Sequence, residues 1–311
     1  MSQILTVFGA TGQQGSAVID YVLNDPELSR IFKLRAVTRD PNSERSQQLK
    51  AKDIQVVRGD ISDRGSLDEA LRDAHTVFLV TVPDFGADAL KVEFESAKNV
   101  ADVSLEKGVQ YIIFSTLPSV SNISGGKYTS VTMFDAKAQA ERYIRNLPIK
   151  SAFYSPGSFM ENYITIAKRT SDGTNAYVMA LHISPKTKIP LIDAGADTGK
   201  FIGSILAKPD AYNGRVIYGA ERLYSLEEIA MAMSKATGEE VIYKQISVES
   251  YKAMVPFGGD MLAQTMSYFE EFGYYGADTE KLTTEAAGNA RGRLTMFEEF
   301  LEKHPFKLST A

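Results

Sequence analysis

Near the start of the chain, the apolar run Ile4-Leu5-Thr6-Val7-Phe8 is followed by glycines at 9, 12 and 15. An amphipathic segment then begins, with Val18, Tyr21 and Val22 at helical spacing. A run that short suits a buried strand and not a helix. Strand, glycine turn and helix start, in that order, form the context in which a dinucleotide's pyrophosphate is held. Gly9 lets the chain turn sharply out of the strand. Gly12 removes a side chain where the pyrophosphate must approach, and Gly15 lets helix and strand pack closely. The helix start adds free N–H donors and the positive end of its dipole. Gly9, Thr11, Gly12, Gln13, Gln14 and Gly15 are therefore the expected phosphate-facing residues. Three glycines can also mark an ordinary tight turn, but the strand before them and the helix after them favour the nucleotide reading.

The 311 residues suit one large α/β domain or a domain with a smaller lobe. Basic and acidic residues number 34 and 39, and no lysine- or arginine-rich block occurs, so direct nucleic-acid binding has no electrostatic footprint. The absence of cysteine excludes disulfides, thiolate metal sites and a cysteine nucleophile. His75, His182 and His304 lie far apart, and no metal site is expected. The first strand begins too early to leave room for a signal peptide, and no apolar run approaches the ~20 residues of a membrane span. A soluble cytoplasmic protein, with the nucleus also open to it, is the expectation.

Residues 33–38 read as the second strand, which ends at Arg39. In doubly wound folds this strand end meets the adenosine ribose, and an acidic residue there takes the 2′-hydroxyl. A guanidinium suits a 2′-phosphate instead, through charge-assisted hydrogen bonds. The alternative is a solvated Arg39 with Asp40 selecting NAD. Asp40 comes one residue late and precedes a proline that turns the chain away, so NADP is expected, with NAD binding more weakly. Further near-continuous apolar strands read at 54–61, 76–81, 110–116 and 151–155, alternating with helices, one of them opened by Ser66. That pattern implies a parallel sheet covered on both faces.

Beyond residue 156 the pattern is irregular, with short strand-like pieces over 163–195. A helix over 197–206, capped near Asp197, returns to the main domain, and a strand follows at 215–218. Ser225-Leu226-Glu227-Glu228 is a capping-box start for a helix ending at Gly238. A strand at 241–244 and helices over 247–254 and 295–303 complete the reading. The aromatic stripe Tyr268, Phe269, Phe272, Tyr274, Tyr275 suits either a core or a cleft wall. The expected fold is α/β: a Rossmann-type doubly wound parallel sheet with a smaller α+β C-terminal lobe. Residues 1–155 form the dinucleotide domain, joined by 197–220, and 156–311 form the lobe over the cleft.

GATGQQG, the Val37-Thr38-Arg39-Asp40-Pro41 turn, Gly59-Asp60, Phe114-Ser115, Phe134-Asp135-Ala136-Lys137 and Pro156-Gly157-Ser158-Phe159-Met160-Glu161-Asn162 together resemble the NmrA-like family. That family belongs to the atypical short-chain dehydrogenase/reductase superfamily. The motifs fall in order over nearly the whole chain. The resemblance implies an NAD(P)-binding fold, with Asp60 and Ile61 at the adenine edge, Thr81 and Val82 at the nicotinamide ribose, and Pro156 and Phe159 approaching the nicotinamide. Phe159 and Met160 suit core packing equally well. It also implies a tyrosine four residues before a lysine on one helix. The lysine would bind the ribose and lower the phenol pKa. Here Lys137 is present, but the tyrosine position holds Met133, which cannot donate a proton. Tyr128, nine residues before Lys137, does not fit the spacing, and a solvated Lys137 is the alternative reading. Many members of the family lack the tyrosine and act as redox-responsive regulators that bind other proteins, whereas others reduce quinones. The expectation is an NADP(H)-binding regulator with a protein partner. The alternative is an NADPH-dependent reductase of quinones or other small apolar carbonyl compounds.

Overall fold

The computed structural model describes residues 2–86, 88–169, 176–255 and 257–305. Its first half alternates strand and helix: β1 (Gln3–Val7), α1 (Gln13–Asn24), α2 (Leu28–Ile31), β2 (Phe32–Thr38), α3 (Glu44–Ala51), β3 (Gln55–Arg58), α4 (Leu67–Ala70), β4 (Thr76–Leu79), α5 (Ala89–Glu106), β5 (Tyr111–Ser115), α6 (Val120–Ile123), α7 (Thr132–Arg145) and β6 (Lys150–Pro156). The second half runs β7 (Ser158–Phe159), β8 (Lys168–Arg169), β9 (Tyr177–Leu181), β10 (Lys188–Ile192), α8 (Ala194–Ala207), α9 (Pro209–Tyr212), β11 (Val216–Gly219), β12 (Arg222–Ser225), α10 (Leu226–Thr237), β13 (Val241–Gln245), α11 (Val248–Met254), α12 (Gly259–Phe272), α13 (Thr279–Ala286) and α14 (Phe297–Lys303). Part of the irregular stretch expected over 163–195 lies outside the described residues.

The apolar runs form one seven-stranded sheet in the order β11-β6-β5-β4-β1-β2-β3, and every pairing in it is parallel. The inner strands, buried on both faces, account for the near-continuous hydrophobicity, whereas the strand expected over 54–61 is only Gln55–Arg58, an edge strand with both ends exposed. On β5 the alternation is explicit. Tyr111 and Ile113 enter the core beneath α1 and α8, while Ile112 and Phe114 enter the core beneath α5 and α7. The strand order reverses between β1 and β4. In doubly wound sheets the ligand crevice lies there, outside the carboxyl ends of the strands.

The helix from the second half does come back to the sheet, but it starts earlier than the sequence suggested. It spans Ala194–Ala207 and is capped by Asp193, whose carboxylate accepts from Ala196 N–H at 2.8 Å. Asp197 lies inside this helix, fully buried, and accepts from Thr295 N–H at 2.9 Å. Glycines set its close approach to α1: a Cβ at Gly199 would strike the Ala17 carbonyl, and one at Gly203 the Tyr21 ring. Ser66 is a second correction. It stands at the N-cap position of α4, as expected, but its side chain caps nothing there; its hydroxyl receives Asp60 N–H at 2.8 Å, and Asp63 caps the short 3₁₀ turn before α4 through Gly65 N–H at 3.1 Å. The Ser225–Glu228 capping box and the left-handed Gly238 that ends α10 are as expected.

The remaining strands form two small sheets, β12-β10-β7 and β13-β9-β8. A third core joins them to α10, α12 and α14, with Met160, Tyr268, Phe297 and Phe300 fully or almost fully buried. Phe134 of α7 is part of that core, which seats the lobe against the end of the sheet.

Candidate dinucleotide cleft

The turn after β1 is closed by Gly12 N–H donating to the Gly9 carbonyl at 2.9 Å, with Gly9 at a φ of 65° that favours glycine. The helix start that follows is chemically bare. Gly12 sits at the cap of α1 with no side chain capping it, and no acidic residue stands in the first turn. The uncapped N–H groups and the dipole of a twelve-residue helix therefore face outward, which suits an anion. Gly15 is buried under this turn: a Cβ there would lie 2.6 Å from the Gly9 carbonyl carbon and closer still to its oxygen. A Cβ on Gly12 would meet only the Gly9 oxygen, at 3.3 Å. The helix–strand approach therefore needs Gly15, while Gly12 leaves room in front of the N–H groups.

A cavity of about 490 Å³ opens from this turn across the ends of β1, β4 and β5. Gly9, Gly12, Gln13, Gln14 and Gly15 form one side of it, Thr81 and Val82 the floor, and Pro156 and Phe159 the far side. Met133 and Phe134 of α7, with Leu262, Met266, Phe269 and Tyr274 of the lobe, form an apolar wall. A larger cavity, about 670 Å³, lies at the opposite ends of the strands, beside Gln3, His75 and Tyr111. It is away from the switch point and the bare helix start, so the smaller cleft is the candidate site.

Thr11, Arg39, Asp60 and Ile61 stand outside the cavity, toward β2 and β3. Arg39 is exposed at the end of β2. Asp40 is turned into its own loop, where its carboxylate accepts from Asn42 N–H at 2.9 Å. Arg45, which the sequence reading did not single out, donates to the Thr11 carbonyl at 2.8 Å and brings a second guanidinium beside the glycine turn. Asp60 accepts from the Ser62 hydroxyl at 2.7 Å and from Ser62 N–H at 3.0 Å, which hold its carboxyl below the usual carboxylate range. Ile61 packs partly buried against the core on the α5 side.

The alternative of a solvated Lys137 does not hold. Its side chain is 8% exposed and its ammonium donates to Thr81 Oγ1 at 2.6 Å, to the Thr81 carbonyl at 3.1 Å and to Glu93. Glu93, on α5, is 2% exposed and also accepts from the Thr81 hydroxyl at 2.6 Å. Burial pushes the Lys137 pKa down, and the Glu93 carboxylate opposes that shift. Met133 lies one helical turn earlier and its thioether lines the cleft. Tyr128 points elsewhere, donating to Glu271 at 2.8 Å. Phe159 lines the cleft, whereas Met160 is core. In the aromatic stripe, Tyr268 is buried in the lobe, while Phe269 and Tyr274 belong to the same core and also wall the cleft, so both readings hold.

The strand-end rule would have found Ser115, whose hydroxyl donates to Gln14 Oε1 at 2.8 Å. Nothing in the sequence marked Glu93, an acid in the middle of an amphipathic helix. Among the described residues no group of side chains could hold a metal ion, and no helix is long and apolar enough to cross a membrane.

The model of the NmrA-like family matches residues 1–301. The chain belongs to the NmrA-like family. Among its relatives is an NmrA-like family domain-containing oxidoreductase of Aspergillus hancockii, 27% identical over 92% of this chain and 89% of the relative. Among solved structures, the negative transcriptional regulator Nmra, crystallised with NAD and with NADP, superposes with a TM-score of 0.76 at 20% identity, covering 97% of this chain and 95% of that one. An NADPH-dependent quinone oxidoreductase of Escherichia coli, in complex with NADPH, gives 0.75 at 21% identity, over 97% and 99%. These likenesses establish a common fold.

Proposed function

We propose that this NmrA-like protein binds NADP(H) across the cleft and reduces flat, apolar acceptors of the quinone kind. The observation that carries the reading is the apolar wall facing the glycine turn. The cleft, about 490 Å³ in all, runs from that turn to this wall, with Met133 where a proton donor would stand. NADPH, when bound, supplies hydride. The chain's own residues hold and orient. The bare start of α1 takes the pyrophosphate, Arg39 and Arg45 receive the 2′-phosphate, and Asp40 is turned into its own loop by Asn42 N–H. Phe134, Met266, Phe269 and Tyr274 offer an apolar face to a planar acceptor. A quinone takes its protons from solvent, so no side chain has to deliver one. An oxidoreductase name among the relatives and the quinone oxidoreductase among the structural neighbours support this reading. The test is NADPH oxidation, followed by absorbance, with a panel of quinones and simple ketones. Turnover of quinones alone is expected; no turnover of any quinone refutes it.

The regulator is the second reading, and one observation favours it. Val82, Phe85, Met254 and Phe257 remain exposed. They sit next to segments that line the cleft, and they suit a protein partner as well as a substrate. In that case NADP should protect residues 156–195 from hydrogen exchange more than NAD does, since a ligand shifts an equilibrium only by its differential affinity. Equal protection by both cofactors counts against it.

A further inference from the structure

We propose that Glu93 is the positioning residue of the cofactor cleft: it keeps Lys137 charged and fixed beneath the nicotinamide end and, through Lys137 and Thr81, holds the Thr81–Val82 turn in place. The inference rests on the nicotinamide-cofactor reading above.

Three observations carry it. First, all three hydrogens of the Lys137 ammonium are taken, by Glu93, Thr81 Oγ1 and the Thr81 carbonyl. The Thr81 hydroxyl passes its own hydrogen to Glu93 at 2.6 Å, which closes a three-membered network. Second, the network is dry, with both charged side chains less than a tenth exposed. Third, it joins three elements: α5 carries Glu93, α7 carries Lys137, and Thr81 follows β4. Lys137 and Thr81 line the cleft, while Glu93 stands behind them.

A buried ammonium tends to lose its proton unless a counter-charge faces it. Glu93 is the ionisable group whose field acts on Lys137. The other acids of α7 are engaged elsewhere: Asp135 accepts from Ser119 and Ser121, and Glu141 pairs with Arg145. Removing the Glu93 charge while keeping its shape should therefore let Lys137 deprotonate at a lower pH. The cleft would then lose a positive charge, and the turn it anchors would loosen.

The test uses Glu93→Gln, Glu93→Asp and Lys137→Met in the full chain. NADPH affinity is titrated by fluorescence from about pH 7 to about pH 9, above the second phosphate ionisation near ~6. In parallel, the Lys137 side-chain resonance of the nucleotide-free protein is followed by carbon NMR. Wild type should bind with a flat profile and keep Lys137 charged throughout. Glu93→Gln should weaken NADPH about tenfold as pH rises, in step with the deprotonation of Lys137. Glu93→Asp should restore the flat profile, and Lys137→Met should be weak and flat. A Glu93→Gln protein that melts earlier but keeps Lys137 charged and its profile flat overturns the proposal, since that is what a purely structural pair would do. Thr81→Val guards against a variant that fails to fold. It should weaken NADPH severalfold with Lys137 still charged, and unchanged affinity also overturns the proposal. If wild type does not bind NADPH, both this inference and the proposed function fall. Nucleotide binding without quinone turnover removes only the reductase.

Discussion

Gly12 and Gly15 stand three residues apart in one turn, yet their substitution should produce opposite phenotypes. Gly15 is buried, and an alanine methyl there would sit 2.6 Å from the Gly9 carbonyl carbon and 2.9 Å from Ala10 Cα. Both neighbours are backbone, so no flexible side-chain end can give way, and α1 must move off β1. Overpacking of this kind costs about 3 kcal/mol at the upper end of its usual range. Alanine's helix propensity returns about 1 kcal/mol. The net loss, about 2 kcal/mol, should lower the melting temperature of Gly15→Ala by roughly 3 °C in a chain of 311 residues. Gly12 has an extended backbone, φ −91° and ψ 175°, which any residue adopts, and its methyl would touch only one oxygen at 3.3 Å. Gly12→Val should therefore melt within about 1 °C of wild type. Its side chain, however, would stand in front of the α1 N–H groups. Displacing two charge-assisted hydrogen bonds costs about 3–6 kcal/mol, or roughly 100-fold or more in affinity. Calorimetric melting and an NADPH titration on the same preparations separate the two effects. A folded Gly12→Val that binds NADPH normally would falsify the phosphate site, and a Gly15→Ala protein with wild-type stability would refute the packing argument.

Arg39→Ala should weaken NADP roughly tenfold or more and leave NAD nearly unchanged, because a lost charged hydrogen bond costs ~1.5–3 kcal/mol. Arg45→Ala should move in the same direction, and equal losses for both cofactors in paired titrations would reject the 2′-phosphate assignment. Ketone reduction should be negligible in the wild type, since a positioned acid is worth ~10²–10⁴-fold in rate. Met133→Tyr should bring measurable activity on a simple ketone, and none would mean that more than the phenol is missing. Asp60 has a lowered folded pKa, so its contribution to stability is complete above about pH 4 and is lost as pH falls through the folded value. Asp60→Asn should flatten that part of an acid-unfolding curve, and an unchanged curve would show that the Ser62 hydrogen bonds do not favour the ionised form.

Local signals that act within a few residues were legible. The glycine turn, the inner strands and the capping box at Ser225 each depend on neighbours in sequence, and each appears where the pattern places it, whereas β3 at the sheet edge is shorter and more exposed than its apolar run suggests. Helix starts were read less well where two acids compete. Asp193 and Asp197 are one turn apart, and which of them caps is decided by burial against Thr295, almost a hundred residues later. The same limit hid Glu93. An acid on a helix with polar neighbours looks solvated until the packing of α5 on α7 and the end of β4 encloses it. The apolar wall from α12 was open to two readings for a similar reason, since helical periodicity says which residues are inward but not whether they face a core or a cleft.

The return of α8 and β11 to the main sheet bears on how the protein is made. Leu5, Val7, Val18 and Ile19 share one core with Phe201, Ile202 and Ile205, and β6 is flanked by β11. A nascent chain that has just completed β6 therefore lacks the α8 part of one face of its sheet and has one strand edge unpaired. Both gaps remain until Gly219 leaves the ribosome, about sixty residues later. At ~5–20 residues per second that is roughly 3–12 s of exposed hydrophobic surface. During that interval the glycine turn is already synthesised, but α1 has no partner helix against which to settle.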